Sequence, residues 1–323
     1  MITPDSSTGT GQQTKNLLLG SIFSALLFSS SMSVPFVGFV AGFVAASPLT
    51  HVRINSDVRQ ATLSMLIAAI IVAAAFTGPV ALWYIAQCGL SGLIVSELLV
   101  RDYKADRILF WGTLSSTFAS ACFVIFLSMV MGQGINAIAS KEIMTGINQV
   151  ISIYEQQKSI STEEMELIRQ GIKKAGNLML RIYPALAVIN MFIFSSVTLL
   201  LGKWLLSRKT GLEIHKSCFS EFKTPELLIW PLIVSGFSLL LPDKLLNTIA
   251  LNLLALLLPL YFLQGLAVIF SLCNRNQYKN ILKVISSVLL ITQPYLIVVV
   301  TVAGLFELLG EFRTPRLKRE ENL

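Results

Sequence analysis

Charged and apolar positions in this chain are segregated, and the spacing between charges gives its first structural reading. Hydrocarbon excludes ions, and a spanning helix needs roughly 20 consecutive apolar residues. Between Lys15 and Arg53 the only ionisable side chain is His51, and between Arg59 and Glu97 there is none for 37 residues. As one helix the second stretch would run about 55 Å at 1.5 Å per residue, too long for a single crossing. It divides at Gly78-Pro79, and the first divides near Ser33 to Pro35, because proline ends or kinks a helix and biases its predecessor away from helical geometry. Further charge-free gaps cover 108–140, 182–202, 227–242, 245–274 and 284–306. The pattern predicts an all-α fold, a polytopic transmembrane bundle of about eight to nine helices in one membrane domain over residues 1–323. The apolar start from Leu17 to Leu27 runs on to Ala46, which reads as a first helix rather than a cleaved signal peptide.

One stretch breaks the pattern. Residues 133–177 carry mixed charges and a cluster of glutamines, with Ile143, Ile147, Val150, Ile151 and Tyr154 at i, i+4, i+7, i+8 and i+11. That spacing puts one apolar stripe on an otherwise polar helix. Ser161 followed by Glu164 forms a capping box that opens a second helix, in which Met165, Ile168 and Ile172 continue the stripe. The segment is expected to be a helical hairpin outside the membrane. Its stripe is expected either to pack locally or along lipid, or to serve as a lid or partner surface.

Composition supports the membrane reading: 54% of the residues are apolar and 13% charged, where a soluble domain carries about a quarter charged. The mean hydropathy is +0.71. The net charge of +7 is spread over loops flanking apolar helices, so orientation and anionic lipid account for it and no nucleic-acid partner is expected. With the N-terminus inside, Arg53 and Arg59, then Arg101, Lys104 and Arg107, then the basic residues from Lys203 to Lys223 and from Arg275 to Lys283 fall on the cytoplasmic side, as basic residues in short loops prefer. Nine crossings would place the basic tail from Arg313 to Arg319 outside, against that preference. Either one segment fails to cross, or the last turns back at Pro294.

No phosphate-binding glycine loop, metal-spaced histidine pair or nucleophile elbow is present, since Gly89-Leu90-Ser91-Gly92 lacks the second spacer. His51 and His215 stand in separate loops, and Cys88, Cys122, Cys218 and Cys273 are far apart. No catalytic residue, metal or cofactor is therefore expected, and the chain is read as a non-enzyme. Glu97 and Glu307 lie near helix ends, where a carboxylate reaches the interface. What remains is uncharged: Gln87, Asn190, Asn252, Gln264 and Gln293 lie within apolar runs. Such residues either join helices by hydrogen bonds or converge on a cavity for an uncharged or zwitterionic ligand. Asn252 and Gln264, on either side of Pro259, are the first candidates. Gly38, Ala41, Gly42 and Ala45 give a small-residue face on which another helix, from this chain or from a second membrane subunit, can pack closely.

Several of these features occur in an order that resembles the YybS-like family of uncharacterised bacterial multi-pass membrane proteins. They are Ile182-Tyr183-Pro184-Ala185-Leu186 after the polar insertion, Phe222-Lys223-Thr224-Pro225 before a short helix with Trp230, and Asn252 early in a long helix. That helix ends Phe262-Leu263-Gln264-Gly265-Leu266-Ala267-Val268-Ile269, and Gly304-Leu305-Phe306-Glu307 and Phe312-Arg313 close the chain. Pro48-Leu49 before Arg53 extends the likeness into the first half, while Glu307 stands where the family pattern has aspartate. The resemblance implies a bacterial cytoplasmic-membrane location and no settled activity. At greater distance such proteins look somewhat like the substrate-binding subunits of energy-coupling-factor transporters, a fold-level analogy. The sequence thus leaves two readings open: a transport-related subunit binding a small organic solute, or a non-transport scaffold acting through its insertion. In both, the bilayer is the main partner.

Overall fold

The computed structural model describes residues 10–33, 37–156, 161–211, 222–274, 279–293 and 295–310, and every regular element among them is helical. Among the described residues six helices are long and apolar enough to cross a membrane: Gly11–Ser33, Val58–Ala75, Gly78–Val100, Ala105–Met131, Glu163–Thr210 and Lys244–Asn274. A bent pair, Val284–Leu290 and Tyr295–Leu308, makes a seventh if taken as one span, the chain bending by 117° between its halves. The expected count of eight to nine therefore falls to six or seven by length, for two local reasons. The predicted second segment is split in two, and the predicted segment at 227–242 is a 3-10 turn plus a short helix, Glu226–Ser238, only about 20 Å long. The basic tail that left the crossing number open lies outside the described residues.

Packing divides the chain into two compact units, Met1–Leu180 with Ala187–Ile214, and Arg181–Leu186 with His215–Leu323. In the first unit, α1 (Thr10–Ser33) is followed by α2 (Val37–Val44) and α3 (Ser47–Asn55). Together α2 and α3 return antiparallel along α1. Gly38 sits on the Ser30 carbonyl so closely that a methyl group would collide with it, and Gly20 meets Val52 in the same way. The split falls at the Ala45-Ala46 turn, because Pro48 stands in the first turn of α3, where its missing N–H costs nothing. Helix α4 (Val58–Ala75) runs parallel to α1, and the side-chain amide of Gln60 donates to Gln13 at 2.8 Å. The next pass, the fourth when α2 and α3 are counted together as one return, is interrupted: α5 (Gly78–Tyr84) passes through a π turn (Ile85–Gly89) into α6 (Leu90–Val100). Helix α7 (Ala105–Met131) follows, burying only Ile108, Gly112, Ser116 and Ser120, so most of its surface meets lipid.

The polar insertion contains α8 (Ile135–Glu155) and the first part of α9 (Thr162–Thr210), which form a hairpin. Both halves of the Ser161–Glu164 capping box are formed. The Ser161 amide and hydroxyl donate to the Glu164 carboxylate at 3.0 Å, which holds that carboxyl below its ordinary value. Ile147 and Ile151 are buried, with Ile147 against Gly176, while Val150 and Tyr154 of the predicted stripe are exposed. Glu155 pairs with Arg169 at 2.5 Å across the hairpin. Helix α9 then continues without a break for 49 residues, about 74 Å.

The second unit contains α10 (Ile229–Ser238), α11 (Lys244–Asn274), α12 (Lys279–Thr292), α13 (Tyr295–Gly310) and residues 181–186 of α9. Helices α11 and α13 run antiparallel at backbone contact. A methyl group on Gly265 would strike the Val300 carbonyl, and one on Gly304 would strike the Tyr261 carbonyl. In hydrocarbon no hydrophobic force drives helices together, so this close approach supplies the packing instead.

Candidate functional site

Two of the five amides singled out in the sequence satisfy backbone groups inside the second unit. Asn252 reaches the turn of α9 that contains Pro184. Its side-chain oxygen accepts from the Ala185 amide at 3.1 Å, and its nitrogen donates to the Arg181 carbonyl at 2.8 Å. Those are the donor and acceptor of one rung of the helix, the rung next to the one that proline eliminates, since Pro184 has no N–H to offer Leu180. Asn252 therefore clasps a proline-weakened turn. Gln264, 1% exposed, accepts from the Thr224 amide at 3.0 Å. It fixes the extended segment 222–225 against α11, and the Thr224 hydroxyl adds a bond to the Leu260 carbonyl at 3.4 Å. The unions of Pro184 with Asn252 and of Thr224-Pro225 with Gln264 explain why these residue types stand there.

The other three are uncommitted. Gln87, in the π turn, and Asn190, in α9, are half-buried, and Gln293 at the end of α12 is exposed. No side-chain hydrogen bond joins any of these three to another described residue, and none links any two of the five.

The structure gathers polar groups at a different place, the interior of the first unit. Ser24 donates to the carbonyl of Ala45, the residue just after α2, at 2.7 Å, and its oxygen lies 2.7 Å from the Tyr84 hydroxyl. Tyr84 is the residue immediately before the π turn, fully buried, its ring edge-on to Phe28 at 5.2 Å. Beyond the π turn, a methyl group on Gly92 would contact the Ala46 side chain at 3.2 Å and its carbonyl at 3.4 Å. Two interruptions of helical geometry, the Ala45-Ala46 turn and the π turn, are thus neighbours joined through Ser24. One turn along α1, Ser21 and Ser64 are 3.0 Å apart, and Ser64 also donates to the Leu17 carbonyl at 3.2 Å. No charge stands in the elements that meet there, residues 37–47 and 84–92.

The small-residue face of α2 lies against α1 of the same chain. Gly38 meets Ser30, and a methyl group on Gly42 would touch Ser31 at 3.0 Å. Ala45 is fully buried and Ala41 partly so. At the basic end of this unit, Glu97 bridges Arg53 and Arg101, each at 2.6 Å. There Lys209 donates to the Ile54 carbonyl at 2.7 Å, closing an unpaired end of α3. Glu307, expected at the interface, is instead buried, 4% exposed, because its position on α13 faces into the unit; sequence spacing from the helix end does not report that direction.

These features define a class: a helical protein of several membrane spans with broken helices. The chain belongs to the family described as predicted membrane protein (DUF2232), which matches residues 22–308. It is similar to the uncharacterized protein YybS of Bacillus subtilis (strain 168), with 24% identity over 307 residues, covering 92% of this chain and 97% of that protein. No solved structure matches it.

Proposed function

We propose that the chain is a transport-related subunit of the bacterial cytoplasmic membrane that binds, without converting, a small organic solute at the paired breaks of the first unit. The observation that carries this reading is the adjacency of the Ala45-Ala46 turn and the π turn, linked by Ser24 and Tyr84. Irregular backbone at membrane depth persists where protein or a cavity satisfies it, and transporter sites are built on such breaks. π turns also recur at functional sites. Gln87 supplies the one amide of the π turn not engaged by a described residue, and the absence of charge in these elements fits an uncharged or zwitterionic solute. The likeness to substrate-binding subunits of energy-coupling-factor transporters adds, as an analogy of fold, the expectation of a second membrane subunit.

A thermal-shift screen of the purified protein with vitamins and similar metabolites tests the reading. A stabilising solute is expected, and its effect should be lost in Gln87→Leu while the unliganded midpoint is retained. A screen without any hit, or a hit indifferent to Gln87→Leu and Ser24→Ala, sinks it.

A second reading has its own observation. Ile147 and Ile151 are packed inside the hairpin, yet Leu167, Ile153 and Val150 on the same hairpin remain exposed, Leu167 at 70%. Under this reading the insertion recruits a partner and the membrane part is a scaffold. Deleting Ile135 to Gly171 should then remove a co-purifying protein, and an unchanged set of partners would count against it.

A further inference from the structure

A groove of about 540 Å³ runs between the fourth pass and α7. Leu82, Ile85 and Ile94 form one wall and Phe118, Phe123 and Phe126 the other, with the short side chains of Ala86 and Ala119 between them. The two walls run antiparallel, so Leu82 shares an end with Phe126 and Ile94 with Ser115. The far end is closed where Gly112 packs against Val95, at 2.7 Å from the position of an added methyl group. The groove is thus a cleft open along its length, left where the π turn and two alanines fail to fill the space between the passes.

We infer that this groove is the seat of one acyl chain of a bilayer lipid. Its length supports this. From Leu82 to Ile94 is about 18 Å of helix, close to the roughly 15 Å depth of one leaflet. Its place is at membrane depth: Leu82 is four residues from the start of α5 at Gly78, and Ile94 is six from the end of α6 at Val100. Its chemistry fits a tail and not a headgroup, because neither 82–94 nor 115–126 contains an ionisable carboxylate or amine. Finally, it is continuous with the lipid-covered surface of the protein. Phe118 is 70% exposed, and Leu114, Ile125 and Met129 extend the same apolar surface along α7. The inference is independent of the solute reading, which concerns the buried side of the π turn.

Trp83 provides the reporter, since its ring centre lies 5.5 Å from that of Phe123 in the groove wall. In a full-length variant carrying Trp111→Phe, Trp204→Phe and Trp230→Phe, Trp83 is the remaining tryptophan. The protein is reconstituted into phosphatidylcholine vesicles with a rising fraction of chain-brominated lipid, which quenches indole on contact. A single seated chain makes fluorescence fall in simple proportion to the brominated fraction. A ring that only brushes passing lipid is unquenched only when all of several neighbours lack bromine, so its fluorescence falls as a higher power. A linear fall is expected, and its loss in Ala119→Phe or Ala86→Leu, which fill the floor from opposite walls. Absence of quenching, a higher-power fall, or a linear fall unchanged in a folded filled variant overturns the proposal. If both filled variants fail to fold, judged by circular dichroism, the shape of the fall in the unfilled protein still decides.

Discussion

Replacing Asn252 by leucine, which keeps the volume and removes the amide, should cost about 2 kcal/mol of stability. The figure follows from the two backbone groups of α9 that Asn252 serves, since its third bond, to the Thr248 carbonyl at 2.8 Å, goes to an acceptor its own helix already pairs. The Ala185 amide belongs to a residue only 1% exposed, and an orphaned buried donor costs about 1–3 kcal/mol. The Arg181 carbonyl lies on an exposed residue and loses a bond worth about 0.6 kcal/mol in a membrane protein. The reasoning claims more than a sum, because it holds that Asn252 is needed on account of Pro184. In Pro184→Ala the new N–H serves Leu180 and the ring no longer crowds the turn, so the Ala185 amide can rely on Arg181 alone. In that background Asn252→Leu should cost no more than about 0.6 kcal/mol, giving a coupling above about 1 kcal/mol in a double-mutant cycle. Reversible unfolding of the four proteins in bicelles, followed by far-ultraviolet circular dichroism, supplies the cycle. Equal costs of Asn252→Leu in both backgrounds would falsify the clasp.

Three further outcomes follow from other parts of the molecule. Gly304→Ala should lower the thermal midpoint by an amount equivalent to about 1–3 kcal/mol, because its methyl group meets the backbone carbonyl of Tyr261, whereas Gly236→Ala, with nothing within 4 Å, should be neutral or stabilising. Arg53→Ala should cost about 1.5–3 kcal/mol by stripping Glu97 of its less exposed charged partner, and Arg101→Ala, at a side chain 59% exposed, no more than about 0.5 kcal/mol; chemical denaturation of the pair separates the two. At the hairpin, the lowered Glu164 carboxyl contributes stability that is present above its ordinary value and lost as pH falls through the lowered one. The protection of amides 162–165, taken relative to their intrinsic exchange rates, should therefore fall in acid, and Ser161→Ala should abolish that dependence.

The elements themselves were readable because their causes are local. Charge-free gaps, the Gly78-Pro79 punctuation and the Ser161–Glu164 capping box each act within a few residues, and each reappears in the structure. The split at Ala45-Ala46 was half visible: Pro48 announces a helix start, but the sequence does not say that only eight residues precede it as α2. The π turn left no sign, since its cause is the tertiary fit of Tyr84 against Ser24 and Gly92 against Ala46. The direction of Glu307 was hidden for the same reason, being set by the rotation of α13 that Gly304 and Gly265 permit.

The polar residues within apolar runs teach the sharpest lesson about finding a site in such a protein. Asn252 and Gln264 attracted attention first because an amide in hydrocarbon demands a partner. That demand is met by backbone freed nearby: the turn weakened by Pro184, and the extended segment before Pro225, which can join no helix. A proline at membrane depth releases donors or acceptors, and an amide on the neighbouring helix is the cheapest way to satisfy them. The informative residue is consequently the polar one without a proline to serve. By that criterion Gln87 outranks Asn252 and Gln264, because its backbone carbonyl in the π turn already accepts from the Ser91 hydroxyl at 2.7 Å, while its side-chain amide bonds to no other described residue.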